Sequence, residues 1–296
     1  MFLEFYTTNF YHEIKSANYM EVRKIIVKRA VFVTGGTIGS GLAVACRFAS
    51  EGYAVFITSR DVQRASEAAK NVAEKYGVFT KGYELDIRSE RRVIDVFNDI
   101  DRNECFVETV VLNSADMGFG TDPAIGMSFF DVSVEEFQRV FETNLVWNFM
   151  IVRQAAIRMR EQHKGAVVFI GSNTAYRAIP NRSAYCASKG GINSMSKAFA
   201  VDLGKYGIRS NVVLPGTIKT DRWVKMGSKQ IVNGTLTPIG DISDFEDIAN
   251  AAWYLGTDLS KNVTGSELIV DGGMSAQLYP EALNEYKRKV IENNLL

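Results

Sequence analysis

The chain has 296 residues, 46% of them hydrophobic and 23% charged, with Lys plus Arg balancing Asp plus Glu at 34 each. That balance gives no electrostatic case for a nucleic-acid partner, and no run reaches the roughly 18 apolar residues needed to cross a bilayer. Cys46, Cys105 and Cys186 are widely spread and fit neither a disulfide framework nor a paired-ligand zinc site, so no metal is expected and a reducing cytoplasm is the expected compartment.

Residues 1 to 28 mix aromatic and charged side chains without periodicity and read as an N-terminal extension without an export signal. From Ala30 onward, short apolar runs at 30–34, 54–59, 83–85, 109–112, 166–170, 211–214 and 268–270 alternate with helix-length segments. Such spacing predicts βαβ units: an α/β domain over 29–274, built as a Rossmann-like doubly wound parallel sheet of about seven strands with helices on both faces. Residues 275–296 form a tail. Ser133 to Glu136 and Ser243 to Glu246 both have the spacing of a capping box. The helix entered at Ser133 is expected to be long, running through Phe137, Val140, Phe141 and Leu145 towards Met159.

The first strand runs into Thr34 Gly35 Gly36 Thr37 Ile38 Gly39 Ser40 Gly41 and then into a helix. Glycines permit positive φ and close backbone approach, and a helix N-terminus offers free N–H groups, so the turn suits a pyrophosphate. The second strand ends in Ser59 Arg60 Asp61. An acidic residue at that place binds the ribose hydroxyls of NAD, whereas an arginine welcomes the 2′-phosphate of NADP. Arg60, with Ser59 adding a hydroxyl donor, therefore favours NADP(H) over NAD(H). The alternative is that Arg60 points to solvent while Asp61 caps the next helix.

Tyr185 and Lys189 lie four apart in a helical stretch, which puts the phenol and the ammonium on one face. A fixed cation near a phenol, whose pKa in water is about 10, favours the phenolate. The pair is a candidate acid/base catalyst. Ser172, at the end of an apolar strand, is placed to hydrogen-bond a carbonyl oxygen and stabilise developing charge.

These elements together resemble the short-chain dehydrogenase/reductase family, over about residues 30–273. The glycine spacing of Gly35, Gly39 and Gly41 is similar to that of its compact members. Asn113 Ser114 Ala115 resembles its AsnAsnAlaGly element, with Asp116 in place of the glycine, and Ser40 replaces the usual Ile or Leu. Asn144, Ser172, Tyr185 and Lys189 match its catalytic four. Pro215, Gly216, Ile218 and Thr220 match its nicotinamide-side loop, and Val270 Asp271 Gly272 Gly273 matches its closing strand.

The resemblance implies that Asp86, with Ile87 beside it, meets the adenine ring, that Thr37, Ile38 and Ala115 join the cofactor pocket, and that Lys189 binds the nicotinamide ribose. It implies that Asn144 holds a water linking Lys189 to solvent, and that chains associate as dimers or tetramers through the helices of Asn144 and Tyr185. It also implies an oxidoreductase acting on a ketone or secondary alcohol held by Ser172 and Tyr185, with 3-oxoacyl thioesters, sugars or polyols, and steroids as candidates. A dinucleotide-sensing protein without turnover is the alternative class.

Substrate contacts are expected from segments 117–130, 173–182 and 218–239. Phe119, Phe129 and Phe130 suggest an apolar wall, Trp223, Met226 and Ile231 a closing lid, and Arg177 and Arg182 a possible attraction for anions. His12, His163 and Cys186 are read as bystanders.

Overall fold

The computed structural model describes residues 28–85, 89–118, 126–220 and 236–280, and the isolated positions 283, 288, 291 and 292. Asp86, Ile87, Phe119, Trp223, Met226 and Ile231, with the N-terminal extension up to residue 27, lie outside the described residues.

The described residues form seven strands: β1 (Lys28–Thr34), β2 (Ala54–Ser59), β3 (Thr80–Glu84), β4 (Cys105–Leu112), β5 (Gly165–Ile170), β6 (Ile208–Pro215) and β7 (Glu267–Val270). They form one sheet in the order β3-β2-β1-β4-β5-β6-β7, and every pairing is parallel. The helices between them are α1 (Gly39–Ala49), α2 (Val62–Tyr76), α3 (Glu90–Arg102), α4 (Val134–Phe141), α5 (Trp147–Gln162), α6 (Ser183–Gly204) and α7 (Phe245–Gly256).

Alternate residues of each strand feed opposite faces. Ala30 and Phe32 of β1 pack with Val93, Val96 and Phe97 of α3, Trp147 and Ile151 of α5 and Ile192 of α6. Val31 and Val33 pack on the other side with Val44 and Phe48 of α1, Val72 of α2 and Ile248 of α7. Phe32 stacks on Phe97 with ring centroids 5.0 Å apart. Burying both faces is what makes the central strands read as continuous apolar runs.

The sheet is wound outward in both directions from β1 and β4, so their connections leave on opposite sides and open a crevice at the carboxyl ends of these strands. Thr34 closes the floor of that crevice. Its hydroxyl accepts the N–H groups of Asn113 at 2.9 Å and Ser114 at 3.0 Å, tying the exit of β4 to the exit of β1.

Helix entrances follow the local chemistry. The carboxylate of Asp61 accepts the N–H of Arg64 at 3.1 Å, Ser89 accepts that of Arg92 at 3.3 Å, and Ser133 accepts that of Glu136 at 3.1 Å. The expected box at Ser243 is displaced by one residue. Asp244 is the N-cap and its N–H donates to Asp247 at 2.8 Å, because the Ser243 hydroxyl is turned instead to the carbonyl of Val270 at 3.3 Å.

The helix expected from Ser133 towards Met159 is interrupted. A π-turn at Glu142–Val146 separates α4 from α5, and Asn144 sits inside it, fully buried. A π-turn inserts a residue into the helical ladder and releases a backbone carbonyl, a device that recurs at functional sites.

Candidate active site

The glycine turn fits a pyrophosphate on the structure's own terms. Gly35 and Gly39 have φ of +61° and +57°, in the region open mainly to glycine. A Cβ on Gly41 would lie 2.2 Å from the carbonyl oxygen of Gly35, so only a bare backbone lets α1 approach the strand exit this closely. The N-cap of α1 is Ile38, whose side chain caps nothing, so the first-turn N–H groups receive no side-chain acceptor from their cap and face the crevice end with the positive end of the helix dipole. Asn113 braces the turn, its amide donating to the carbonyls of Thr34 and Gly35, each at 3.2 Å.

At the end of β2, Asp61 caps α2 and leans on Arg64 at 3.6 Å. Arg60 is exposed and has no hydrogen-bond or ion-pair partner among the described residues. The hydroxyl of Ser59 accepts the N–H of Asp61 at 3.2 Å and retains its own proton for donation. Ser89 is the N-cap of α3.

Pro215 ends β6, and Gly216 follows where a Cβ would meet that of Asp271 at 2.6 Å. Its N–H donates to Val270 at 3.0 Å, which sets the loop of Ile218 and Thr220 against the end of β7. Ile218 bridges to Ser243.

On α6, Tyr185 and Lys189 are both buried, with 8% and 3% of their surface exposed. The ammonium of Lys189 lies 5.5 Å from the centroid of the Tyr185 ring and donates to the carbonyl of Ile170, the last residue of β5, at 2.8 Å. Two of its three protons have no further acceptor among the described residues. Ser172 follows two residues after β5 and accepts the N–H of Thr174 at 3.2 Å, so it is a strand-end cap that also reaches the phenol.

The electrostatics differ from the simple expectation of an acidic phenol. Burial pushes Tyr185 up to about 12, while the hydrogen bond with Ser172 and the charge of Arg182 pull in the opposite direction. Burial also pushes Lys189 down to about 8. Loss of water disfavours the charged form of each group, and at this spacing desolvation outweighs mutual attraction. The phenol therefore holds its proton at neutral pH, and the amine gives up its charge just above it.

Asn144 is expected to hold a water. The structure gives its polar atoms other partners: Oδ1 accepts the N–H of Asp116 at 2.7 Å, and Nδ2 donates to the carbonyl of Asp116 and to Oγ of Ser188, both at 2.9 Å. Its carbonyl, released by the π-turn, takes the amide of Asn148 at 2.7 Å. Ser188 passes the connection on by donating to the carbonyl of Tyr185 at 2.8 Å. Asn144→Ala would remove the side-chain partners of the half-buried Asp116 peptide and of buried Ser188 and is expected to cost about 1–3 kcal/mol, read as a lower midpoint in chemical unfolding; an unchanged midpoint would show that these bonds are replaced by water.

Of the two arginines expected near the substrate, Arg177 has another duty and Arg182 lies beside the phenol. Arg177 gives its guanidinium to the carbonyls of Ser275 at 2.6 Å and Gln277 at 3.1 Å, pinning the segment after β7. Arg182 is buried and shares a cavity wall with Tyr185, Met127, Val132 and Val140. Phe129 and Phe130 are exposed, pack edge to face, and are accessible rather than enclosed. His163 caps α5 in the left-handed conformation.

Sequence reasoning did not select Thr34, Asp116, Ser188 or Asn148 for roles here. Ser188 carried a local signal by standing directly before Lys189, and Asp116 by replacing the glycine of the AsnAsnAlaGly element.

With this geometry, comparison with known proteins is decisive. Residues 36–275 match a family model described as enoyl-(acyl carrier protein) reductase. An NADP-dependent (R)-specific alcohol dehydrogenase of Lentilactobacillus kefiri is 34% identical over 84% of this chain and 97% of its own length. The chain belongs to the short-chain dehydrogenase/reductase family. A 3-oxoacyl-(acyl-carrier-protein) reductase of Mycobacterium tuberculosis is 31% identical, covering 84% of this chain and 93% of its own. The crystal structure of an oxidoreductase of the short-chain dehydrogenase/reductase family from Burkholderia thailandensis superposes with a TM-score of 0.74 at 26% identity, covering 88% of this chain and 97% of that one. The seven-stranded parallel sheet is thus the family's sheet, and this short-chain dehydrogenase/reductase is an oxidoreductase by family.

Proposed function

We propose that residues 29–274 act as one NADP(H)-dependent domain that moves hydride between the nicotinamide and a ketone or secondary alcohol. The observation that carries this reading is the desolvated pair of Tyr185 and Lys189 beside Ser172, at the same sheet edge as the glycine turn. When bound, the cofactor supplies or accepts the hydride. Gly35, Thr37, Ile38, Gly39 and Gly41 would hold its pyrophosphate, Asp86 and Ile87 its adenine, Asn113 and Ala115 the wall between, and Pro215, Gly216, Ile218 and Thr220 its nicotinamide side.

The protein's own contribution is proton control. Tyr185, protonated at neutral pH, donates its proton to the substrate oxygen, and Ser172 hydrogen-bonds that oxygen as charge develops. Charged Lys189 stabilises the phenolate left behind, and its two remaining protons suit the ribose hydroxyls. Asn144 fixes the start of α6 through Ser188. Because the lysine loses its charge near pH 8, reduction weakens above that point, whereas alcohol oxidation, which needs the phenolate, gains with rising pH.

NADP(H) is favoured by the exposed, unpaired Arg60 with Ser59 beside it, and by the cofactor named for the Lentilactobacillus relative. Arg60→Ala is expected to raise the KM for NADPH by about ten- to a hundredfold, the worth of one or two charge-assisted hydrogen bonds, and to leave that for NADH within about twofold. Initial rates with each cofactor check this; a wild-type preference for NADH would remove the proposal. Secondary alcohols with their ketones and 3-oxoacyl thioesters are the proposed substrate classes, a reading supported by relatives named as an alcohol dehydrogenase and a 3-oxoacyl-(acyl-carrier-protein) reductase. A carbonyl panel followed by NADPH absorbance tests turnover itself, and tight NADPH binding without oxidation of any member would favour the sensing alternative.

No helix among the described residues is long and apolar enough to span a membrane; the cytoplasmic location proposed for the enzyme rests on its three dispersed cysteines. The groove lined by Phe149, Ile157, Phe199 and Leu203 on α5 and α6 supports association into dimers or tetramers through these helices.

A further inference from the structure

Asp116 stands at the exit of β4, where the peptide chain turns away from the crevice. Four hydrogen bonds converge on this one residue. Its N–H and carbonyl take the Asn144 side chain at 2.7 and 2.9 Å. One carboxylate oxygen accepts the N–H of Gly118 at 2.8 Å, closing a turn in which Gly118 has φ +58°. The other accepts Nη1 of Arg139 at 2.5 Å. Arg139 also lies 3.7 Å from Glu136 and belongs to α4, which continues directly into the π-turn of Asn144.

The connections form a closed circuit. Arg139 holds the carboxylate of Asp116, the peptide of Asp116 orients the amide of Asn144, and Asn144 returns the chain to the helix that carries Arg139. From Asn144 the circuit has one branch, through Ser188 to the backbone of Tyr185. An ion pair with its arginine half exposed adds little to stability. Its geometric effect is larger, because it fixes the peptide unit to which a buried amide makes two bonds.

We infer that Asp116 and Arg139 are positioning residues, an external latch that sets the π-turn and, through Ser188, the first turn of α6 with Tyr185. The inference rests on the oxidoreductase reading above. Neither residue touches the reacting atoms. Both act through Asn144, and the latch is clamped to the loop after Asn113 and Ala115, so it joins the cofactor wall to the proton donor.

Arg139 is the better residue to alter, since its side chain is half exposed and its loss leaves the core intact. In the full-length protein, Arg139→Met is expected to lower kcat roughly tenfold, the scale of a small misplacement of a catalytic group, with the KM for NADPH held within about twofold. Arg139→Lys should recover most of that loss. Hydrogen exchange supplies a readout that needs no turnover. The amide of Asp116 should exchange faster in Arg139→Met than in the wild type, while amides of β5 and β6 keep their protection.

An unchanged kcat, a loss that Arg139→Lys does not reverse, or an Asp116 amide equally protected in the variant would each overturn the latch. If the wild type itself reduces no carbonyl, the oxidoreductase reading fails, and the exchange measurement still decides whether the latch exists.

Discussion

Tyr185→Phe is expected to lower kcat for carbonyl reduction by about 10²- to 10⁴-fold, the range that general acid catalysis supplies. The substitution keeps the ring and its packing and removes only the proton and the oxygen. At neutral pH the phenol keeps its proton, because burial lifts it to about 12, so in the proposed mechanism the wild type would deliver that proton without a prior ionisation and the variant would have none to deliver. Binding of NADPH, measured by quenching or enhancement of its fluorescence, should be nearly unchanged. Turnover equal to the wild type with a good substrate would show that the proton comes from elsewhere and would remove Tyr185 from the mechanism.

The burial that protects this proton was not legible in the sequence, although the residue was. Helical spacing shows that Tyr185 and Lys189 share a face. It does not show whether the face is wet. In water the ammonium would make the phenol more acidic; beneath β5, with 8% and 3% of their surfaces exposed, both groups move towards their neutral forms instead. The direction of a pKa shift depends on which of desolvation and charge attraction dominates, and that balance is set by tertiary packing.

The sheet shows the same division. Each of the seven apolar runs falls on an observed strand, the third overrunning β3 by Leu85, yet β3, β4 and β6 begin earlier than their apolar stretches. β4 starts at Cys105 and includes Glu108; β6 starts at Ile208 and includes Arg209 and Ser210. Charged residues break an apolar pattern, and burying them is costly unless each finds a partner. Glu108, with only 3% exposure, lies 3.2 Å from Lys164, and Arg209 donates to the carbonyls of Leu255 at 2.7 Å and Thr257 at 2.9 Å. These partners are about 50 residues distant in the chain, so no local pattern announces them. The π-turn was hidden for a similar reason: the apolar periodicity from Phe137 to Leu145 is compatible with an unbroken helix, and the break is stabilised by Asp116 and Asn148 rather than by any breaker residue.

Lys189→Met is expected to reduce kcat about a hundredfold and to erase the alkaline limb of the reduction profile. A unit charge 5.5 Å from the phenol ring, at an effective dielectric of about 20, stabilises a phenolate by about 3 kcal/mol, which corresponds to roughly two powers of ten. In the wild type this stabilisation is present while the amine is charged and disappears as pH rises through about 8. The value of kcat/KM for reduction should therefore be level near neutrality and fall about tenfold per pH unit above that point. Methionine has nearly the length of lysine without a charge, so the variant should be uniformly slow and indifferent to pH across the same interval. Arginine at this position keeps its charge to far higher pH but brings a planar, wider donor, and it should displace the limb upward even where its absolute rate is low. A limb that stays near pH 8 in the Lys189→Met variant would assign the titration to another group and separate the amine's charge from the fate of the proton.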